Sequence, residues 1–387
     1  INNIKLTRFF SKIFRMKKTI KKLLNNMPFL FNLLVNIYYY SEYIFYRFIV
    51  EGRFRNIYLN EKVSLIKLPT KNISFFGYYN ISPFNNRSIV WCETKNNKIR
   101  ASKYSDLNIV YYDFISKKRQ VIEKSKAWNW QQGCMLQWYG SSDYKIIYNN
   151  YDSQNKEYYS EIYDIKSNER KILCKPIYSV ADNGSFALTL NFDRITQMRP
   201  SYGYFRKQVI NLPSDKNDGI WFIDIEKNTS KLIISLDTLK KIKPHPTMVN
   251  SKHKVNHIDI APDGKRFMFI HRWIGPKGRF HRLITASCMD GSDLFYLTGT
   301  ELVSHNCWMM DSKNIISFSK TKDGRNKYNL YSDKEGFKEI IGENDFFEDG
   351  HPSVSPDGRW MITDTYPDKS KFSSLYLYDL LNKKKHL

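Results

Sequence analysis

The feature that most constrains this chain is a turn signal that keeps returning. From about residue 70 onward, short aromatic and β-branched runs alternate with turn pairs or triplets. These are Asn85-Asn86, Ser142-Asp143, Asp182-Asn183-Gly184, Asp263-Gly264, Asp311-Ser312 and Asp357-Gly358. Where no insertion intervenes, the spacing is on the order of 40–50 residues, the period of a propeller blade. The helical period is absent here, and the alternation is that of strands. The clearest unit reads as four strands, HIDIA, KRFMFIH, HRLITASCM and DLFYLTG, with turns at Asp263-Gly264 and Asp290-Gly291. Six such units begin near Tyr78, Gly133, Tyr178, His257, His305 and His351, with insertions at 194–218 and 237–255. Sheets of this kind arranged radially leave no long exposed edge. The expected fold is therefore all-β: a β-propeller over 56–387 with six visible blades. Seven blades are common at this period, so the complete protein is expected to hold a seventh. It would lie beyond Leu387 or be built partly from 56–70.

Residues 1–55 read as a separate region. Lys5, Arg8, Lys12, Arg15, Lys17, Lys18, Lys21 and Lys22 come with no acid among them, and FLFNLLVNIYYYSEYIFYRFIV follows at 29–50. A basic run before an apolar run suits a signal peptide, a membrane anchor or an interfacial helix. No small-residue cleavage site follows. Asn32, Asn36, Glu42 and Arg47 interrupt the run, which weighs against a spanning helix. The expectation is a helical extension that packs on the main domain or lies on a membrane surface through residues 1–50. The chain begins with Ile1, and MKKTIKKLL at Met16 reads like a bacterial start, so 1–15 are expected to be upstream translation.

The net charge is +23, with an isoelectric point near 9.5. That favours an anionic partner, namely nucleic acid, anionic lipid or an acidic polysaccharide, although AT-rich coding alone also enriches lysine. No recognised nucleic-acid module is visible, and no nucleic-acid partner is expected. Five scattered cysteines without a CxxC pair suggest a reducing compartment. The expected location is the cytoplasm, peripheral to the inner membrane face.

Candidate chemistry gathers at one face. In a propeller blade the first strand starts, and the second ends, at the same rim. His257, His305 and His351 each open a first strand, while His271 and Arg272 close a second. The insertion DRITQMRPSYGYFRK brings Arg194, Arg199, Tyr202 and Tyr204 to that rim, with Gln137 as a further substrate contact. Four of the eight histidines thus share one face. His305 and His351, with Glu348 nearby, are candidate ligands for a divalent metal. His257, His271 and Tyr202 are candidates for proton transfer, and Arg199 and Arg272 for gripping a carboxylate. No Ser-His-Asp spacing, P-loop or GxGxxG occurs. A carboxylate grip, a base and a metal suit β-elimination from a uronic acid.

Several stretches carry a resemblance. GYYNISPFNN, GCMLQW, RPSYGY, NHIDIAPDGKRFMFIHRW, SHNCWM and GHPSVSPDGRW together resemble the oligogalacturonate lyase family and the related propeller ulvan lyases, over roughly 70–387. The SPDG and APDG turns are shared with TolB-like propellers generally. The resemblance implies β-elimination of uronate-containing glycans on a propeller face, with His257 as the catalytic histidine. It also implies a manganese ion held by His305 and His351. The chain departs from the family at Ser353, where a further histidine is expected, and at Glu348, where a glutamine is expected. A non-catalytic propeller that binds acidic glycans, or assembles in surface-polysaccharide synthesis, is the alternative.

Overall fold

The computed structural model describes residues 28–52, 59–60, 63–78, 80–98, 103 and 105–386. They divide into two units: residues 1–65 with 365–374, and residues 66–364 with 375–387. The second unit is a six-bladed β-propeller of consecutive four-stranded antiparallel sheets. Blade 1 is Ile73–Phe75, Ser88–Thr94, Leu107–Asp113 and Arg119–Ser125 (β1–β4). Blade 2 is Gln137–Trp138, Lys145–Asp152, Glu157–Asp164 and Arg170–Leu173 (β5–β8). Blade 3 is Ser179–Val180, Phe186–Leu190, Gly219–Asp224 and Thr229–Ser235 (β9–β12). Blade 4 is Lys252–Ile260, Arg266–Gly275, Gly278–Ser287 and Phe295–Tyr296 (β13–β16). Blade 5 is Val303–Trp308, Asn314–Lys320, Asn326–Ser332 and Gly336–Ile341 (β17–β20). Blade 6 is Ser353–Val354, Trp360–Asp364, Leu375–Asp379 and Lys384–His386 (β21–β24). The described residues of 56–70 contain no strand, so they do not supply part of a seventh blade.

The turn signals act as their chemistry dictates. In blades 3, 4 and 6 the glycine of the inner hairpin takes a left-handed backbone, with φ of 71° at Gly184, 72° at Gly264 and 72° at Gly358. Each glycine N–H closes the turn onto the carbonyl three residues back: Ala181 at 2.7 Å, Ala261 at 2.8 Å and Ser355 at 2.8 Å. Blade 5 makes the same turn with Ser312 at φ 56°. Glycine adopts this conformation without the steric cost of a Cβ.

The apolar residues of neighbouring blades face each other and form the core. Blades 4 and 5 share a cluster of Met268, Ile270, Leu283, Val303, Trp308, Ile315 and Tyr331. Blades 5 and 6 meet through Ile316, Phe318, Tyr328, Met361 and Tyr378. Around the axis, residues of all six blades enclose a cavity of 340 Å³. Tyr78, Gln137, Ser179, Asp259, Cys307 and Ser353 are among its lining. The enclosure pushes the Asp259 carboxyl up to about 7, and Asp182 adds to the effect.

Two insertions leave this ring. The first starts with helix α2 (Phe192–Met198), capped by Asn191, whose side chain accepts from the N–H groups of Asp193 and Arg194. The second carries helix α3 (Leu236–Ile242), capped by Ser235. In the other unit, helix α1 (Pro28–Ile44) continues into a π-helical turn, Phe45–Val50. This is the helical extension expected from the sequence.

One face of blade 4 holds a buried imidazole pair. His253 Nδ1 and His271 Nε2 lie 3.0 Å apart under Trp273, and both residues are fully enclosed. Burial lowers the His253 pKa to about 4 and that of His271 well below the ordinary value. A depressed folded-state pKa gives stability that is complete above the unfolded value of about 6.5 and is lost as pH falls toward about 4. Unfolding free energy from denaturant titration is therefore expected to fall by on the order of 2–3 kcal/mol across that window. The double variant His253→Gln/His271→Gln should flatten the decline. An unchanged wild-type stability over the window would contradict this assignment.

Candidate functional site at the channel rim

The site is built by a defect in the innermost strand of blade 4. Pairing of β13 with β14 runs regularly to Asp259↔Met268, then resumes at Asn256↔Ile270. Two residues, His257 and Ile258, therefore oppose Phe269 alone, which is a β-bulge. His257 takes φ 54°, a backbone uncommon for a residue with a side chain. Strand β17 repeats the device: pairing jumps from Val303↔Ser319 to Asn306↔Ser317, leaving Ser304 and His305 in the bulge. The two histidines thereby turn to the same rim, with ring centroids 6.1 Å apart and edge to face.

His257 is buried and held from several sides. Its Nδ1 hydrogen-bonds the Tyr78 hydroxyl, and its backbone N–H donates to Tyr178 Oη at 3.0 Å. Tyr178 in turn accepts from Gln132 Nε2 at 2.8 Å. Tyr202 stands edge-on to the ring, centroids 5.6 Å apart. Burial, with Arg272 and then His305 and His351, holds the His257 imidazolium well below its usual range, so the ring is neutral at physiological pH.

Beyond the bulge, the β13–β14–β15 register places Lys254 opposite Arg272, and Arg272 opposite His281. Cross-strand partners share a face of the sheet, so these three form one row. Lys254, Arg272 and His281 all sense Arg199, whose guanidinium lies 4.5 Å from the centre of the Tyr202 ring. Lys254 and Arg272 are both buried, and neither forms an ion pair among the described residues. Among the described residues, Arg272 Nη2 reaches only the Val303 carbonyl, at 3.4 Å, and its Nε has no partner. Burial and Arg272 press the Lys254 amine down to about 6, and burial and Arg199 press Arg272 down to about 10. Such a row lowers its energy when an anion enters.

Several sequence expectations need correction. His271 points to the opposite face from Arg272 and belongs to the buried pair with His253, not to the rim. Arg194 is a buried structural cation, 2.6 Å from Asp218 and 3.4 Å from Asp215. Tyr204 is fully buried, stacked on Phe192 at 4.5 Å, and accepts from Asn149 at 3.0 Å. Gln137 lines the axial cavity rather than the rim cluster. Glu348 is exposed, and it is its neighbour Asp349 that meets the rim, accepting from Ser304 at 2.5 Å and pairing with His305 Nδ1 at 3.1 Å. Tyr78, Lys254, His281, Asp349 and Asp364 were not singled out from the sequence.

The metal expectation was tested on its donors. His305 and His351 approach to 4.1 Å between ring centroids, and Asp364 holds His351 Nδ1 at 2.8 Å. His257, the third imidazole of the rim, meets Tyr78 through Nδ1 and stands 6.1 Å from His305 between ring centroids. Among the described residues, no three or more His, Cys, Asp or Glu side chains gather in a metal-binding arrangement. Among the described residues the rim therefore shows no preformed metal centre.

No protein-family model matches the chain, and no curated protein does. Solved structures do. TolB from Acinetobacter baumannii is 15% identical with a TM-score of 0.41, over 72% of this chain and 58% of that one. The β-propeller domain of the Trilobed protease from Pyrococcus furiosus is 14% identical with a TM-score of 0.45, over 80% and 82%. Oligogalacturonate lyase in complex with manganese is 11% identical with a TM-score of 0.41, over 79% and 90%. The shared fold is the β-propeller. At these identities the likeness of the propeller to each of them is one of fold, and the lyase family is not singled out. This chain spans 58% of the TolB chain.

The depressed Lys254 amine gives this propeller a testable signature. An anion on the row raises that pKa, so binding near neutral pH takes up a proton at Lys254. Affinity of the row for a carboxylate anion is expected to weaken as pH rises above about 6, by up to roughly tenfold per pH unit. Calorimetry in buffers of different ionisation enthalpy should show proton uptake, and Lys254→Met should abolish it. Affinity independent of pH in wild type would contradict the role of the row.

Proposed function

We propose that this propeller is a polysaccharide lyase that cleaves uronate-containing glycans by β-elimination. One observation carries the reading: a neutral, buried imidazole, His257, stands beside buried Arg272 and Lys254, neither of which forms an ion pair among the described residues. The substrate carboxylate supplies the missing charge. Arg272 and Arg199 grip it through planar guanidinium groups, and Lys254 adds a point charge. Neutralising that carboxylate acidifies the proton on C5.

The imidazole then acts as the base. With Nδ1–H donating to the Tyr78 oxygen, the Nε2 lone pair is left to take the C5 proton; no hydrogen bond engages Nε2 among the described residues. The C5–H electrons form the C4=C5 double bond, and the C4–O4 bond breaks with its electron pair on O4. Tyr202, whose hydroxyl makes no hydrogen bond among the described residues, protonates O4. Proton return from His257 to the Tyr202 phenolate through solvent closes the cycle. The partner is therefore an acidic oligo- or polysaccharide, and the motif resemblance to oligogalacturonate lyases supports the same class.

The test is the ultraviolet absorbance of the unsaturated product, with a panel of oligo- and polyuronates. Loss of a positioned general base costs about 10²–10⁴ in rate, so His257→Ala should lose that much while remaining folded. Tyr202→Phe should lower kcat more than it raises KM. A free imidazole fails below about 6.5. Because burial and Arg272 depress His257, activity should instead persist well below that pH. Absence of unsaturated product from every glycan, with pH-dependent binding intact, would assign the row to recognition without cleavage. Full turnover by His257→Ala would remove His257 from the base role.

A further inference from the structure

We infer that residues 28–50 dock the protein on an anionic membrane surface, with α1 lying in the plane of the bilayer interface. In α1, Leu33, Ile37, Tyr40 and Ile44 follow one another at steps of four, three and four residues, which places them in a single stripe. Each leaves between 38% and 61% of its surface exposed. In the π-helical turn that follows, Ile49 and Val50 are more than half exposed. Soluble domains rarely present so continuous an apolar strip without something to cover it.

The other side of the same helix is already occupied. Within this unit, Lys369 pairs with Glu42 at 3.5 Å and donates to the Tyr46 hydroxyl at 3.0 Å. The Lys371 ammonium lies 4.7 Å from the centre of the Tyr43 ring. Glu42 and Tyr46 project opposite to the stripe in a helical projection. One side is thus fixed by polar and cation–π contacts, while the apolar stripe faces outward.

Charge selects the occupant. The sequence before α1 carries Lys5, Arg8, Lys12, Arg15, Lys17, Lys18, Lys21 and Lys22, and the first acid of the whole chain is Glu42. Basic residues next to an apolar helical stripe are drawn to anionic headgroups while the stripe enters the acyl boundary. Tyr40, on the stripe, suits that depth, since a phenol keeps its hydroxyl in the headgroups and its ring below them. No helix among the described residues is long and apolar enough to cross a membrane. The geometry is that of a helix lying on the surface, and it stands independently of the rim chemistry.

The test is flotation of the full-length chain with phosphatidylcholine vesicles, with and without phosphatidylglycerol. Binding is expected only when phosphatidylglycerol is present, and it should weaken with added salt. Ile37→Glu/Ile44→Glu should lower partitioning by at least roughly tenfold. Lys17→Glu/Lys18→Glu should lower it while leaving the apolar stripe intact. Both variants should keep the wild-type unfolding transition, which separates lost binding from lost folding. Equal flotation on neutral and anionic vesicles, or flotation unaffected by Ile37→Glu/Ile44→Glu, would overturn the inference. So would a wild-type dimer that ignores lipid and dissociates on Ile37→Glu/Ile44→Glu, since a second copy would then cover the stripe.

Discussion

One extra residue in the innermost strand of blade 4 decides where the charged side chains of this propeller point. Strand residues alternate between faces, so a single insertion flips everything beyond it. Between Asp259 and Asn256 the register slips, and His257 leaves the regular ladder with a left-handed backbone. Such a conformation costs on the order of 1–3 kcal/mol for a residue with a side chain. Here the hydrogen bond to Tyr78 and the one from its own N–H to Tyr178 hold it in place. The repeated bulge at Ser304–His305 shows that the defect belongs to the rim rather than to one blade.

The electrostatics follow from that geometry. Past the bulge, alternation sends Lys254, Arg272 and His281 to one face and His253, His271 and Trp273 to the other. The second group is neutral, aromatic and closed. In the first, burial and the neighbouring Arg272 press the Lys254 amine toward its neutral form and do the same to His281, leaving Arg272 as a buried cation without an ion pair among the described residues. In the proposed function an acidic ligand pairs with that cation and lets Lys254 take up a proton, beside an imidazole that burial, and then Arg272, keeps unprotonated.

The sequence made much of this legible, for physical reasons that can be named. Asp-Gly pairs specify tight hairpins locally, so the four-stranded units and most blade starts could be read directly. Histidines at strand openings could be assigned to one rim because chain direction alone fixes which end of a strand lies there. His271 and Arg272 are neighbours in one regular strand, so alternation alone sends them to opposite faces; assigning both to the rim used chain direction and left that alternation out. Before the Pro262-Asp263-Gly264 turn, counting by twos misses the bulge, which carries no strong sequence signal; neither His257 nor Ile258 is a glycine. Lys254 was overlooked for the same reason, since only the shifted register sets it opposite Arg272. Asp349 differs from Glu348 by one position in a loop, where no period exists to choose between two acids. Arg194 and Tyr204 were placed correctly in the insertion, but their burial depends on Asp218 and Phe192, contacts that pattern alone does not reveal.

The central claim is that His257 is an uncharged base within an anion-binding rim. Selective ¹⁵N labelling of the histidine rings reports it directly, because ring nitrogen shifts distinguish the imidazolium and the two neutral tautomers. The account predicts a neutral His257 ring, with the proton on Nδ1, persisting well below the ordinary pKa of about 6.5. It also predicts that its signals move when an oligo-uronate is added and stay still with a neutral oligosaccharide of equal length. A His257 ring that titrates near about 6.5 and does not respond to the acidic sugar would contradict the account.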